Sequence, residues 1–457
     1  MLRASVTAEK AGIPTVSLIS SGFLRLAEAT SKSMGVKLPL AVYSGHPMMD
    51  APEQVSAKAK AELLPAVIAG LTAQRESAQA LIPESEPQPG SIVFSGDLLE
   101  VQEHFLEQLW SDGLPVVPPT SDRVEEFLAH SPYPRDHVIG VLPNEGREAT
   151  ALSVAINGVM AGCRPEYMPV LLAIVDAIAD EHFRLEDAGS TPSWEPLVVV
   201  NGPIVKQLGF NFGQGAMKVG RQANTSIGRF LRLYMRNVCG FRIPPGDGDK
   251  GSIGFTFNVA LAEDEDAARR AGWSTLAMDL GFGPDENVVS VMSVVCITAP
   301  LYSAGSHAVD HAHQFAEVIK RSFAPWAHVG LRKGVWTPLI IMGPEVAEVI
   351  ASEWSKDEFR RYVQSHATLE AGMLEEFSLP ATAMPLDLKR LVAEGLLPES
   401  YAESDDPARL LSIVVRPEDI CVVVAGDRGR NQSRGYMPNH HQGALTSKRI
   451  VLPDGWA

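Results

Sequence analysis

A chain of 457 residues exceeds one typical hydrophobic core, so two or three domains are expected. Its composition, 45% apolar and 21% charged, is that of a soluble globular protein, and no apolar run reaches the roughly 18 residues needed to cross a bilayer. A net charge of −16 disfavours nucleic-acid binding, which rests on Lys and Arg neutralising phosphates, and the N-terminus lacks the basic stretch and apolar core of a secretory signal.

In chain order, Gly12 to Ile19 has a buried-strand pattern, Ser21 to Gly35 is helical, Leu38 to Tyr43 is a second strand, and Pro52 to Leu71 is a long amphipathic helix. Strand, helix, strand, helix implies parallel pairing in an α/β arrangement. Two strands are too few for an independent sheet, so this region is expected to borrow strands from the second domain, another subunit or a partner. Pro83 to Gly90 is proline-rich and acidic and reads as a linker, giving a division into 1–82, a linker at 83–96 and a large α/β body at 97–457. In the body, helices are predicted over Leu98 to Ser111, from Ser121 to Leu128, over Ala151 to Met160, Pro165 to Glu181 and about Ser226 to Asn237. Buried strands are predicted at Leu197 to Val200, Val288 to Ile297, Pro338 to Met342, Leu411 to Val415 and Ile420 to Ala425.

The run Glu9-Lys-Ala-Gly12-Ile-Pro14-Thr15-Val16, then Phe23, Gly45-His46-Pro47 and an Ala-rich helix, resembles the UGSC-like (seleno)protein family over about residues 1–80. The family is named for a motif of selenocysteine or cysteine followed by Gly-Ser-Cys, and is distantly similar to the redox-active subunits of glycine and proline reductases. The place of that motif lies before Met1, so the resemblance carries the redox centre onto no residue here. The motif is then expected upstream of a mis-assigned start, on a separate redox subunit, or lost. The body resembles uncharacterised bacterial proteins with a similar Asn-Ala-Val-Met-Ala-Gly-Cys-Arg-Pro-Glu run, which implies no activity.

The densest polar chemistry among small residues is Asn157-Gly-Val-Met-Ala-Gly162-Cys163-Arg164-Pro165-Glu166. A thiol at a helix start beside a cation should favour the thiolate, a competent nucleophile, with Glu166 as acid/base; the plain alternative is a buried thiol and a charge against the helix dipole. The other cysteines, Cys239, Cys296 and Cys421, are scattered without CxxC spacing, which predicts reduced thiols in a cytoplasmic protein. Asn201 follows a buried strand, where ligands of open α/β sheets gather, or it serves a turn. A glycine-rich loop leads through Arg221 and Asn224 to a helix carrying Arg229, a setting for a carboxylate or phosphate or else a plain flexible loop; it lacks the nucleotide-binding glycine and lysine signatures. His307, Asp310, His311 and His313 cluster, with His307 and His311 four apart on one helix face beside Asp310; that spacing can seat a divalent metal, and otherwise the group supplies an acid/base or substrate contact through His311 or is a plain polar helix start. Asp427, Arg430 and Asn431 follow the strand that ends at Ala425, again a site position or a surface turn.

These residues together indicate an enzyme, or the large subunit of one, acting on a small polar or anionic organic substrate. Cys163 and Glu166 would act on it, and Asn157, Arg164, Asn201, Arg221, Asn224, Arg229, Asp427, Arg430 and Asn431 would bind it. The family likeness implies thiol- or selenol-dependent reductase or lyase chemistry. The alternatives are a metal-dependent hydrolase or lyase using the 307–313 cluster, and a non-catalytic scaffold of a redox complex. A homo-oligomer or a separate redox subunit is the expected assembly.

Overall fold

The computed structural model describes residues 2–33, 35–73, 90–143, 146–189, 194–242 and 253–456. The predicted linker at Pro83 to Gly90 therefore lies outside the described residues, except for Gly90. Contacts group the chain into two compact units: Met1–Leu109 with the short stretches Asn144–Gly146 and Cys239–Asp249, and Trp110–Pro143 with Arg147–Val238 and Lys250–Ala457. Among the described residues, no helix is long and apolar enough to cross a membrane.

The first unit contains β1 (Ser17–Ser20) and β2 (Leu40–Tyr43), paired in parallel with Ser17 opposite Leu40 and Ser20 opposite Tyr43. The expected crossover is present: Ser21–Phe23 turns into the helix Leu24–Ser33 between the two strands. The predicted helix from Pro52 runs to Thr72, but a π-turn at Ala59–Leu63 interrupts it just before Pro65, whose ring cannot continue a regular ladder. Leu71 is exposed, and the helix places Gly70 against Val16. Within the described residues, β1 and β2 form a sheet of two strands.

The second unit contains β3 (Val138–Leu142), β4 (Arg147–Thr150), β5 (Glu195–Asn201), β6 (Leu261–Ala262), β7 (Val288–Val294), β8 (Cys296–Ile297), β9 (Leu301–Tyr302), β10 (Leu339–Met342), β11 (Thr368–Glu370), β12 (Leu410–Ser412), β13 (Cys421–Val424), β14 (Gln432–Met437) and β15 (Thr446–Arg449). One sheet has the order β15-β7-β5-β6, and another runs β13-β10-β14-β8 with β9 also on β14. Among the described residues of this unit, only β5–β6 and β10–β13 pair in parallel; the other pairings are antiparallel. The body is thus a mixed α and β structure.

Backbone bonds join the two sheets at both ends. The Asp264 N–H donates to the Val424 carbonyl at 2.8 Å, linking the end of β6 to β13. On the other side the Val295 N–H reaches the Met437 carbonyl at 2.8 Å and the Thr298 N–H reaches that of Gly435 at 2.9 Å, carrying β7 through β8 onto β14. The strands so form a ring. Its interior is one apolar cluster with a period of two along the strands: Leu197 and Val199, Met292 and Val294, Leu339 and Ile341, Cys421 and Val423. The alternate residues Ile340, Met342, Val422 and Val424 face outwards into a second core built on the helix Ala308–Leu331. This double burial explains why β10 and β13 are uninterrupted runs of large apolar residues.

Candidate functional site

The parallel pair β5–β6 brings two chain ends together on one side of the ring. Val199 lies opposite Leu261 and Val200 opposite Ala262, so Asn201-Gly202 and the acidic run Glu263-Asp264-Glu265-Asp266 emerge side by side. Asp264 caps the helix Glu265–Arg270 by accepting from the Ala267 N–H at 2.9 Å. The fully buried Asn201 donates its Nδ2 to Glu263 Oε2 at 2.7 Å and to Glu265 Oε1 at 3.1 Å. Facing two carboxylates fixes the orientation of that amide, and its Oδ1 is left buried with no hydrogen-bond partner among the described residues. Gly202, at φ +98°, donates its N–H to Glu265 at 2.8 Å; a Cβ here would lie 2.5 Å from the Glu286 carbonyl oxygen, so only glycine fits.

Gly202 and the acidic run border a cavity of about 200 Å3 walled by Gly202, Pro203, Val205, Lys206, Gln207, Phe212, Glu263 to Asp266, Arg269 and Asp285. Glu263 is its innermost carboxylate. Besides Asn201 it accepts from the Leu276 N–H at 2.9 Å and the Val424 N–H at 3.2 Å. Burial pushes its pKa up, against the opposing pull of the Lys356 charge and these donors. The two cations of the wall are already engaged, Lys206 with Asp266 at 2.6 Å and Arg269 with Glu265 at 3.0 Å. Sequence reasoning found Asn201 by its place after a buried strand but missed Glu263 and Glu265. The available signal was four consecutive acids following Val259-Ala-Leu-Ala262, a short apolar run ending in charge.

Cys163 lies elsewhere and in a different state from the one expected. Gly162 takes φ +75° after the helix Ala151–Met160, and the Cys163 N–H bonds back to the Gly158 carbonyl at 3.0 Å. That is a Schellman-type helix ending, so the Gly-Cys pair closes one helix before Pro165–Tyr167 opens the next. The thiol is buried, and burial pushes its pKa up to about 12 despite a hydrogen bond to Ser226 and the charge of Arg229. The expected lowering of that pKa is therefore corrected to a rise. Arg164 is solvated and pairs loosely with Glu166 at 3.7 Å.

Several proposed ligand-binding side chains are committed to the protein itself. Asn157 donates to the Ser153 carbonyl at 2.9 Å and accepts from Asn237 Nδ2 at 2.9 Å. The helix expected from Ser226 begins at Gln222, which takes Asn224 into its first turn. There its Oδ1 accepts from the Asn211 N–H at 2.8 Å, and its Nδ2 donates to the Asn211 and Ala260 carbonyls at 2.9 Å each. Arg229 makes a two-pronged pair with Asp112 at 2.8 and 2.9 Å and also donates to the Pro115 carbonyl. Arg221 stands exposed at the N-cap of that helix.

The histidine group does not converge. His307 caps the helix Ala308–Leu331 and pairs with Glu353 at 2.8 Å, which raises its pKa. His311 is buried, with Nδ1 on Ser303 Oγ at 2.7 Å and Nε2 on the Gly305 carbonyl at 3.1 Å. His313 is exposed. Among the described residues, no three His, Cys, Asp or Glu side chains are grouped to hold a metal ion. In the last loop, Asp427 accepts from the Gly429 N–H at 2.9 Å and pairs with Arg430 at 3.6 Å, while Asn431 donates to the Ser303 carbonyl at 2.7 Å.

In the first unit, the Glu9 carboxylate accepts from the Thr15 N–H at 2.5 Å and the Thr15 hydroxyl at 2.9 Å, pinning the Gly12-Ile-Pro14 turn that feeds β1. The Gly45 N–H, just past β2, donates to Ser21 Oγ, just past β1, at 3.0 Å. Residues 1–73 match the UGSC family. The UGSC-like segment ends one residue beyond the helix that closes at Thr72, so the match covers the two-stranded sheet and its helices and stops short of the second unit. No curated protein and no solved structure matches the chain.

Proposed function

We propose that this chain is an enzyme, or the large subunit of one, that takes a small polar organic substrate into the Glu263–Glu265 cavity. The observation that carries this reading is the juxtaposition of two carboxylates on one buried asparagine at the C-terminal ends of parallel strands. Glu265, bordering the cavity, is the proposed acid/base. Glu263 is a positioning residue that fixes Asn201 and the ends of β6 and β13. The UGSC-like segment ties the chemistry to thiol- or selenol-dependent reduction or lyase reactions, with the redox group supplied from outside the described residues. The free thiols of Cys163, Cys296 and Cys421 support a cytoplasmic setting.

The test is a thermal-shift screen of the full chain and of Glu265→Gln with small polar compounds of every charge class. At least one class should raise the unfolding midpoint of the native chain and lose that effect in the variant. If every stabilising compound acts equally on both chains, the cavity is not the binding site.

A second reading, a scaffold that completes a separate redox subunit, is supported by β1 and β2 pairing only with each other among the described residues. Light scattering of the purified chain distinguishes a self-association from a free monomer that needs another polypeptide.

A further inference from the structure

We infer that two copies of this chain associate through their first units, residues 91–107 of each packing on the helix Leu64–Thr72 of the other. The inference goes beyond the cavity reading and does not rest on it.

Both surfaces are apolar and open. In the helix Leu64–Thr72, Leu64, Ile68 and Leu71 recur at helical spacing, and all three are exposed, Leu64 at 53% and Ile68 at 54%. An apolar helix face of this kind is normally buried. In the other segment, Ile92 is 82% exposed, Leu99 is 79% exposed, and Val93, Phe94, Leu98 and Leu106 are exposed as well. The helix Leu98–Glu107 is started by its own residues. Asp97 accepts from the Leu99 and Glu100 N–H groups, and Glu100 accepts from the Asp97 N–H at 2.8 Å. Phe105 is its buried side chain, which leaves Leu99 and Leu106 on the outer side of a formed helix.

Charge selects which surface meets which. Residues 91–107 hold Asp97, Glu100, Glu103 and Glu107 and no Lys or Arg. Glu103 lies between Leu99 and Leu106 on one helix face. Residues 1–73 hold seven Lys and Arg against five Asp and Glu, a net charge of +2 in a chain of −16. Exposed Lys60 stands one turn before Leu64. Two acidic segments facing each other would set carboxylates against carboxylates with no cation between them. On the Leu64–Thr72 helix the same acids meet Lys60. The area is also of the right size. A two-fold exchange uses both surfaces of each copy. The exposed fractions of these nine apolar side chains together equal about five whole side chains, on the order of 800 Å2 per copy, which is what each partner buries in a stable interface.

The experiment is sedimentation equilibrium of the full chain, with far-ultraviolet circular dichroism to show that each variant is folded. The native chain should be a dimer at about 10 µM. Leu99→Asp and Ile68→Asp, both at exposed positions, should each weaken the dimer by at least about a hundredfold, because symmetry removes each contact twice. Glu103→Lys and Lys60→Glu should each weaken it by about tenfold, and the two combined should restore it to within about threefold of native. This charge pair, on exposed side chains, gives a decision that does not depend on the Asp variants. A native monomer at that concentration overturns the inference. So does a dimer that either Asp variant leaves intact, which would place the contact on another surface or between two acidic segments. A double charge variant that binds no more tightly than the single ones overturns it as well.

Discussion

His440 should make the second unit sensitive to mild acid. Its side chain is fully buried on a backbone at φ +55°, with Gly330 below the ring and Trp336 at 5.8 Å between centroids. Burial, helped by the neighbouring His441 and His328, pulls its pKa from 6.5 down to about 3, and the Trp326 carbonyl offsets only part of this. The charged groups around the cluster are mostly cations, Arg332 beside His328 and Lys333 and Arg184 beside His441, with Asp187 the opposing carboxylate near His441. In the folded state the ring therefore stays neutral where the unfolded chain protonates it. Below pH 6.5 the unfolded state holds the extra proton, so stability is full above that pH and falls as pH drops towards 3. At roughly 1.4 kcal/mol per pH unit, His440 alone removes about 2 kcal/mol by pH 5. Urea titrations followed by tryptophan fluorescence report this unit directly, because all 7 tryptophans lie within it. His440→Asn tolerates the left-handed backbone and cannot titrate. The native chain should lose about 2 kcal/mol more than His440→Asn between pH 7.5 and pH 5. Parallel losses in the two chains would refute the assignment of a buried neutral imidazole.

Three further outcomes follow from side-chain environments. Cys163, held as a thiol by burial, should resist iodoacetamide in the folded chain at pH 7.5 and react on unfolding in urea; fast native alkylation would show an accessible thiolate. Asn224→Ala strands the Asn211 N–H and two carbonyls and should cost about 1–3 kcal/mol in urea titration, whereas Arg221→Met, at an exposed position, should stay within about 0.5 kcal/mol. Gly330→Ala would put a Cβ 2.8 Å from the His440 ring and should destabilise by about 1–3 kcal/mol, a loss checked by the same titration.

The parts legible from sequence are those where one physical pattern dominates. The Val-rich run of β13 reads as a strand because both faces are buried, one in the ring and one against the helix Ala308–Leu331. The parallel β1–β2 pair reads from strand, helix and strand in succession. β14 was not anticipated because Arg434 and Gly435 interrupt its pattern. Gly435 is needed there, since a Cβ would lie 2.9 Å from the Thr298 methyl, and Arg434 reaches the Thr298 carbonyl at 3.0 Å. β6 has two residues, too few for any periodicity. At the candidate site, Asn201 was visible from its position after β5. Its partners were not, because the register of β5 on β6 decides which acids meet it. The Gly162-Cys163-Arg164 run looked like a helix start that activates a thiol. It is equally a helix end, and the bond from the Cys163 N–H to Gly158 settles the local geometry in favour of a buried cap.

The central claim is that small polar ligands enter the cavity bordered by Glu263 and Glu265. Crystals of the full chain soaked with the polar compound that most raises its unfolding midpoint test it most directly. Difference density is expected in the cavity, with a polar atom of the probe within hydrogen-bond distance of Glu265. An empty cavity, with the probe ordered instead beside Cys163 and Arg164 or at the loop following β13, would contradict it.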